Sequence, residues 1–298
     1  MAAPLSAPSS LYRSIYRAGL FEGKTVIVTG GGSGIGRCTA HELASLSAAV
    51  ALIGRTREKL DRVCAEIAQA GGKASAHTCD IREEVAVQRT VAEVLAAHGC
   101  IDGLVNNAGG QFPAPLASIS AKGWDTVVRN NLTGGFLMAR ECYTQWMEKH
   151  AAGCAIVNII ADMWMGMPGM GHSGAARAGM LNFTETAALE WAPVRVNAVA
   201  PGWIASSGMD HYGAEMRARI RGLHRHVPLG RLGTESEVSA AIVFLLSPAA
   251  AFISGSCLRV DGAVPNARRS SPLAGKGANE PFNAFTLAQR PKVLDEDD

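Results

Sequence analysis

The sequence predicts a single α/β domain built on a doubly wound parallel sheet, and three observations carry that prediction. Short β-branched runs alternate with helical patterns of a dozen or more residues from Thr25 to about Gly262, the rhythm of strands joined by crossover helices. Clustered glycines punctuate the first such unit: Thr29-Gly30-Gly31-Gly32-Ser33-Gly34-Ile35-Gly36 directly follows the apolar run Thr25–Val28 and precedes a helical stretch. A length of 298 residues admits one large α/β domain or two small ones, and 48% hydrophobic content supplies a proper core.

The glycine segment reads as strand, tight turn and helix. Glycines let the backbone turn and approach a pyrophosphate without Cβ clashes, and the phosphates then meet the free N–H groups and positive dipole end of the new helix. Thr29, Gly30, Gly32, Ser33, Gly34, Ile35 and Gly36 are therefore candidate dinucleotide-binding residues. A helix from about Gly34 to Ser45 leads to a second strand, Val50–Ile53, that ends at Gly54-Arg55. An acid closing this strand would bind the adenosine ribose 2′-hydroxyl and select NAD, whereas Arg55 offers a cation to a 2′-phosphate, so the expected cofactor is NADP(H). The alternative is that Arg55 only opens an exposed Arg55/Arg57/Lys59 helix face.

Next come an amphipathic helix from Glu58 to about Ala70, a strand Ala74–Cys79, and Asp80-Ile81, where an acid at a strand's carboxyl end can reach the adenine amino group. A helix Glu83–His98 precedes the strand Ile101–Val105, which runs into Asn106-Asn107-Ala108-Gly109. Ligands of a doubly wound sheet sit along the carboxyl ends of its strands, which adds Asn107, Ala108 and Gly109 to the cofactor candidates. Downstream, the pattern predicts a long helix Leu132–His150, a strand Ala155–Ile160, a helix His172–Glu190 and a sixth strand Val194–Val199. Thr234-Glu235-Ser236-Glu237 reads as a capping box opening the helix Val238–Leu246, and Leu258–Gly262 as the last strand.

Several function classes are excluded. A net charge of +2 gives no field of the kind that marks a nucleic-acid binder. Seven scattered cysteines, without a C-x-x-C pair or a histidine at ligand spacing, point to a reducing compartment and no metal. No apolar run reaches the roughly 18 residues of a membrane span, and the Asp295-Glu296-Asp297-Asp298 ending is no peroxisomal address, so a cytoplasmic protein is expected. Residues 1–21 form a lead-in: Ser6, Ser9, Ser10, Arg13 and Arg17 without an acid faintly resemble an organellar transit peptide, while Tyr12, Tyr16 and Leu20 suit packing before the first strand. Residues 264–298 read as a surface tail, one able to wrap a neighbouring subunit.

Thr29-Gly-x-x-x-Gly-x-Gly36, Asp80, Asn106-Asn107-Ala108-Gly109, Asn131 and Pro201-Gly202 fall in the order and spacing of the short-chain dehydrogenase/reductase superfamily, and the resemblance covers about residues 22–263. It implies a Rossmann domain with a seven-stranded sheet in order 3-2-1-4-5-6-7. It also implies a proton-relay water on Asn131, a nicotinamide bordered by Pro201, Gly202 and Ile204, a mobile lid over about 203–231, and a homotetramer or homodimer joined through the two long helices. The family's Ser and Tyr-x-x-x-Lys are missing: the strand ends at Ala161, Ser173 occupies the tyrosine position and Arg177 the lysine position. A serine cannot readily shuttle the proton of an alcohol oxidation, and an arginine is a fixed cation.

That departure resembles a narrower branch. His172-Ser173-Gly174-Ala175-Ala176-Arg177-Ala178-Gly179 is similar to the corresponding helix of peroxisomal trans-2-enoyl-CoA reductases, and 2,4-dienoyl-CoA reductases also lack the tyrosine. Gly109-Gly110-Gln111-Phe112 and Lys122-Gly123-Trp124 fit the same branch. The resemblance implies hydride transfer to an enoyl-CoA, whose enolate-like oxygen needs donors and no base. Ser173, Asn131 and His172 are the candidate donors, Arg177 the ribose-binding cation near the enolate, and Asp162 the candidate acid, the last provided burial raises its pKa. His172 equally suits a helix cap. Met163, Met165, Met167, Met170 and Trp164 are expected to line the acyl pocket, and Arg217, Arg219, Arg221, Arg225 and Arg231 of the lid suit the phosphates of an acyl-CoA. Two other classes stay open: a dehydrogenase of branched terpenoid alcohols or aldehydes of the citronellol type, which some bacterial chains resemble, and a non-catalytic NADP(H)-binding protein.

Overall fold

Five consecutive buried residues make β1 (Thr25–Thr29), the signature of a central parallel strand covered on both faces. Its alternating side chains divide between two apolar layers. Val26 and Val28 pack with Leu43, Val238 and Ile242 on one face, while Ile27 packs with Val91, Leu104 and Met138 on the other. The computed structural model describes residues 11–266 and 279–295.

From β1 the chain runs through α1 (Gly34–Ser45), β2 (Ala49–Gly54), α2 (Arg57–Gln69), β3 (Lys73–Thr78), α3 (Glu84–His98) and β4 (Gly103–Asn106). It continues through α4 (Ala121–Val128), α5 (Gly134–Cys142), β5 (Ala155–Ile159), α6 (Gly171–Glu190) and β6 (Arg195–Pro201). The last elements are β7 (Ile204–Ala205), α7 (Ala214–Gly222), β8 (Gly233–Thr234), α8 (Glu235–Leu246) and β9 (Cys257–Val260). All seven strands of the main sheet are parallel, in the order β3-β2-β1-β4-β5-β6-β9. This is the expected order, with β9 as the seventh core strand because β7 and β8 pair with each other in a separate small ladder.

The expected helix at Leu132–His150 is longer and less regular than its sequence suggests. α4 and α5 join through a π-helical turn at Arg129–Thr133, and a second one, Tyr143–Met147, follows α5. Such turns open the i→i−4 ladder locally and recur at functional positions. The capping box is present, with Thr234 accepting from the Glu237 amide and Glu237 accepting from the Thr234 amide. No helix among the described residues is long and apolar enough to cross a membrane.

The C-terminal segment departs from expectation, while the N-terminal one packs against the core. The tail is not a detached surface element: within the described residues it folds back on its own chain. Phe285 is buried beside Tyr12 in an antiparallel bridge, under the Arg37 guanidinium and against His41. Tyr12 packs as the lead-in reading expected, and its hydroxyl joins those of Ser14 and Ser239 in donating to the buried Glu42 carboxylate, whose pKa burial raises. Further along, Val293 is fully buried against Met209 and Ile220 of the lid, and the Asp210 carboxylate accepts from the Lys292 and Val293 amides. The transit-like residues Ser6, Ser9 and Ser10, the acidic ending Glu296–Asp298 and residues 267–278 lie outside the described residues.

Candidate functional site

The glycine turn and the Asn106–Gly109 segment are locked together. Thr29 Oγ1 accepts from the Asn107 and Ala108 amides at 3.0 and 2.9 Å, and Asn107 Nδ2 donates to Thr29 O at 2.9 Å. Gly30 has φ of +67° and a Cβ there would stand 2.9 Å from Asn107 Nδ2, while one on Gly36 would stand 2.4 Å from Gly30 O. No side chain can enter this turn. Ser33 precedes α1 without making a capping hydrogen bond, and the first turn of α1 carries no acid, so its N-terminal amides are available to phosphate oxygens.

A cleft of ≈ 170 Å³ extends from this turn across the ends of β2 and β3, lined by Gly54, Arg55, Asp80, Ile81, Ala108 and Gly109 among others. An acid at position 54 would meet Leu60, whose Cδ2 lies 3.3 Å from a Cβ built there. Arg55 is exposed at this end, and Thr56 and Lys59, which the sequence reading did not single out as site residues, line the same cleft. Asp80 is held by Arg82, whose guanidinium Nε lies 2.9 Å away, and this pairing pulls its carboxyl down to about 2. It is a fixed acceptor at the β2–β3 end of the cleft.

The catalytic candidates converge near the sheet's centre. Asn131, buried in its π turn, accepts from the Gly110 amide at 2.8 Å and donates to Gly110 O at 3.0 Å. Its amide thus braces the loop after β4. Ser173 is fully buried, and its hydroxyl donates to Gln111 Oε1 at 2.6 Å. Gln111 is exposed and carries the polar path from Ser173 outward; the sequence reading noted its motif without giving it a role. His172 is also fully buried: its Nδ1 accepts from the Ser173 amide, its ring meets Phe112 edge-on, and Nε2 has no partner.

Arg177 is the unusual group. Its Nη1 donates to Ile159 O at 2.6 Å, Nη2 fills the space above Gly109 and Nε has no partner. Burial alone lowers its pKa to about 10, with no acid offsetting it. Cations withdrawn from water are ordinarily paired, so this guanidinium suits an anionic or polyhydroxyl ligand. Asp162 has an unpartnered Oδ1, and burial with the nearby Asp261 charge pushes its carboxyl up, the condition required of a proton donor.

Other expected groups separate. Met165 points into solvent, Met163 packs with Ile160 and Met180, and Trp164 lies under the Arg259 guanidinium, so the methionines do not form one surface. Pro201 is buried, Gly202 packs so closely on Asp261 that a Cβ would stand 2.8 Å from its Cα, and Ile204 backs Gly233. Arg231 is not a lid cation open to ligand: it forms a double ion pair with Glu237 and donates to Asn279 O.

Residues 30–264 match the family described as enoyl-(acyl carrier protein) reductase. A probable 2,4-dienoyl-CoA reductase of Bacillus subtilis is 36% identical over 245 residues, which is 81% of this chain and 96% of that protein. A solved citronellol catabolism dehydrogenase of Pseudomonas aeruginosa PAO1 is 62% identical with a TM-score of 0.77, covering 85% of this chain and 100% of that one. An actinorhodin polyketide ketoreductase variant solved with NADPH is 29% identical with a TM-score of 0.78, covering 84% of this chain and 100% of that one. With the glycine turn, the sheet order and these relatives in agreement, the chain belongs to the short-chain dehydrogenase/reductase family and is a nicotinamide-dependent oxidoreductase.

Proposed function

We propose that this protein reduces the 2,3 double bond of a fatty enoyl-CoA, or a conjugated dienoyl-CoA, with NADPH. The observation that carries the reading is Arg177: a half-buried guanidinium with a buried Nε and no acid partner stands where the family places a lysine, and a buried serine stands where it places the phenol. NADPH supplies a hydride when bound. Gly30 to Gly36, with the free N-terminus of α1, would hold its diphosphate, Arg55 and Lys59 its 2′-phosphate, Asp80 its adenine and Arg177 its ribose.

Hydride arriving at the β-carbon of an enoyl thioester, or at the δ-carbon of a 2,4-dienoyl one, would push charge onto the thioester oxygen. Arg177 and the hydrogen-bonded pair Ser173–Gln111 stabilise that charge without a base. Asp162, whose carboxyl burial and the nearby Asp261 charge push up, delivers the proton to the α-carbon. The dienoyl-CoA reductase among the relatives supports the substrate class.

A second reading is favoured by the 62% identical citronellol catabolism dehydrogenase: oxidation of a branched terpenoid alcohol or aldehyde. The only tyrosines are Tyr12, Tyr16, Tyr143 and Tyr212, and none lies on α6, so that reading requires another base.

The deciding experiment follows NADPH or NADP⁺ turnover by the purified protein against enoyl-CoAs, dienoyl-CoAs, ketones and terpenoid alcohols and aldehydes. Reduction of enoyl or dienoyl thioesters is expected. Turnover of alcohols or aldehydes alone would replace this reading with the second. Ser173→Ala is expected to lower kcat by about 10²-fold while leaving the NADPH dissociation constant unchanged. Arg55→Asp should weaken NADPH more than NADH.

A further inference from the structure

Glu235 opens α8 and stands against the first turn of α1. It is only 7% exposed, and its carboxyl makes no hydrogen bond or ion pair among the described residues. A carboxyl so placed gives up hydration without a partner to replace it. Its Oε1 lies 3.8 Å from where a Cβ would stand on Gly34, and Gly34, with φ of +56°, has no side chain to separate the two. Gly34 is the first residue of α1, the helix whose N-terminal amides are open to the diphosphate.

The groups around this carboxyl come from four directions. α1 presents Arg37, already paired with Glu66 and donating to Leu287 O, and the Cys38 thiol, which burial and the Glu235 and Glu42 charges push up. On α8, the Glu237 carboxylate turns away to Arg231 and the Thr234 amide. The outer side of Glu235 borders a second cavity of ≈ 820 Å³ between the lid and residues 281–294, lined also by Arg221, His224, Arg225 and Arg290. Arg290 holds Asp295, His224 Nδ1 is bonded to Arg221 O, and none of these cations pairs with Glu235. Burial pushes the Glu235 carboxyl up to about 7 against the pull of Arg37, so in the free protein it is divided between its two states near neutral pH.

We infer that Glu235 links cofactor binding to proton uptake: when the diphosphate settles on the first turn of α1, the Glu235 carboxylate takes a proton from solvent. This rests on the cofactor placement above. Two effects act with the same sign. While the turn is empty, the partial positive charge at the start of α1 favours the carboxylate. A bound diphosphate neutralises that charge and brings two negative charges to the other side of the same turn. The dipole of α8 itself acts on Glu235 equally in both states, and Arg37 stays committed to Glu66. Because the bound state holds the proton more tightly, cofactor affinity is highest on the acid side and falls as pH rises through the titration of Glu235. Oxidised and reduced cofactors carry the same diphosphate, so this proton is separate from the one consumed in the reaction.

The test titrates ADP-ribose into the full-length protein by calorimetry near pH 7.5, in two buffers of different ionisation enthalpy. ADP-ribose presents the diphosphate without the 2′-phosphate, a monoester that titrates near pH 6 and would add a proton of its own. Uptake of about half a proton per site is expected, with Kd about ten-fold weaker at pH 9 than at pH 6. Glu235→Gln should exchange no proton and keep the native pH 6 affinity across the range. The proton count on the native protein carries the test if that variant does not fold. Binding without proton exchange, a Kd constant from pH 6 to pH 9, or equal uptake in Glu235→Gln would each overturn the inference. If ADP-ribose does not bind, the cofactor placement falls with it. Uptake by a protein that reduces no thioester leaves this inference standing and removes the proposed reaction.

Discussion

Arg177 carries a cost in the absence of ligand, because a guanidinium removed from water with an unpartnered Nε and no carboxylate gives up solvation that one carbonyl contact does not restore. Replacement by methionine fills similar volume without that charge. Arg177→Met is expected to raise the apoprotein's Tm by about 2–4 °C and to abolish turnover, a stability–function exchange. A lowered Tm would show that the guanidinium is structural. Glu235 gives a pH signature of the opposite kind to an ion-paired carboxylate. Its pKa is raised from 4.5 to about 7, so the folded protein holds a proton that the unfolded chain has already lost in that window. Stability therefore falls as pH rises from about 4.5 to about 7 and the loss is constant above. Glu235→Gln should match the native protein near pH 4 and exceed it in urea melts at pH 8; a constant difference across that range would refute the assignment.

At the scale of elements, the site is held by one short lock between the glycine turn and the end of β4. Thr29 ties the two strand ends side to side, and Gly36 lets α1 start against the carbonyl of Gly30. A methyl group at position 36 would stand 2.4 Å from that carbonyl and 2.5 Å from Asn107 Nδ2, so the turn and the Asn107 side chain must both move. Gly36→Ala is expected to cost about 1–3 kcal/mol in stability and to weaken cofactor binding at least ten-fold. Native cofactor affinity in this variant, measured by nicotinamide fluorescence, would show that the lock is not required. The same logic explains the π turn at Arg129–Thr133: it places Asn131 where both faces of its amide meet the Gly110 peptide, fixing the loop that carries Gln111.

Across the whole molecule, the two ends of the chain meet on α1 and α8. Phe285 sits among Tyr12, His41 and Arg37, and eight residues later Val293 packs on Met209 and Ile220, so the C-terminal segment links the core to the 207–226 side of the site. Phe285→Ala is expected to cost about 3–4 kcal/mol and to loosen the lid, read as faster hydrogen exchange over residues 207–226. A cost below about 1 kcal/mol with unchanged exchange would mean that the segment rests on the surface without bracing it.

Much of this architecture was legible in the sequence because it depends on neighbours along the chain. Strand–helix alternation, the glycine turn and the Thr234–Glu237 capping box are all set by spacings of a few residues. So was the chemical departure at Ser173 and Arg177, since the family's Tyr-x-x-x-Lys spacing, laid on this helix, shows which residue replaces which. The sequence also determined that an acid is missing after β2, although not that Thr56 and Lys59 join Arg55 around that gap. Only the tertiary structure decided what those groups touch. It turned Ser173 toward Gln111, 62 residues away, sent Met165 into solvent and tied Arg231 to Glu237 instead of leaving it for ligand. It also folded residues 279–295 onto the lid and thereby built a second cavity. The physical reason is that these outcomes rest on contacts between segments far apart in the chain, where burial and hydrogen bonding are settled by packing, and no local periodicity records them.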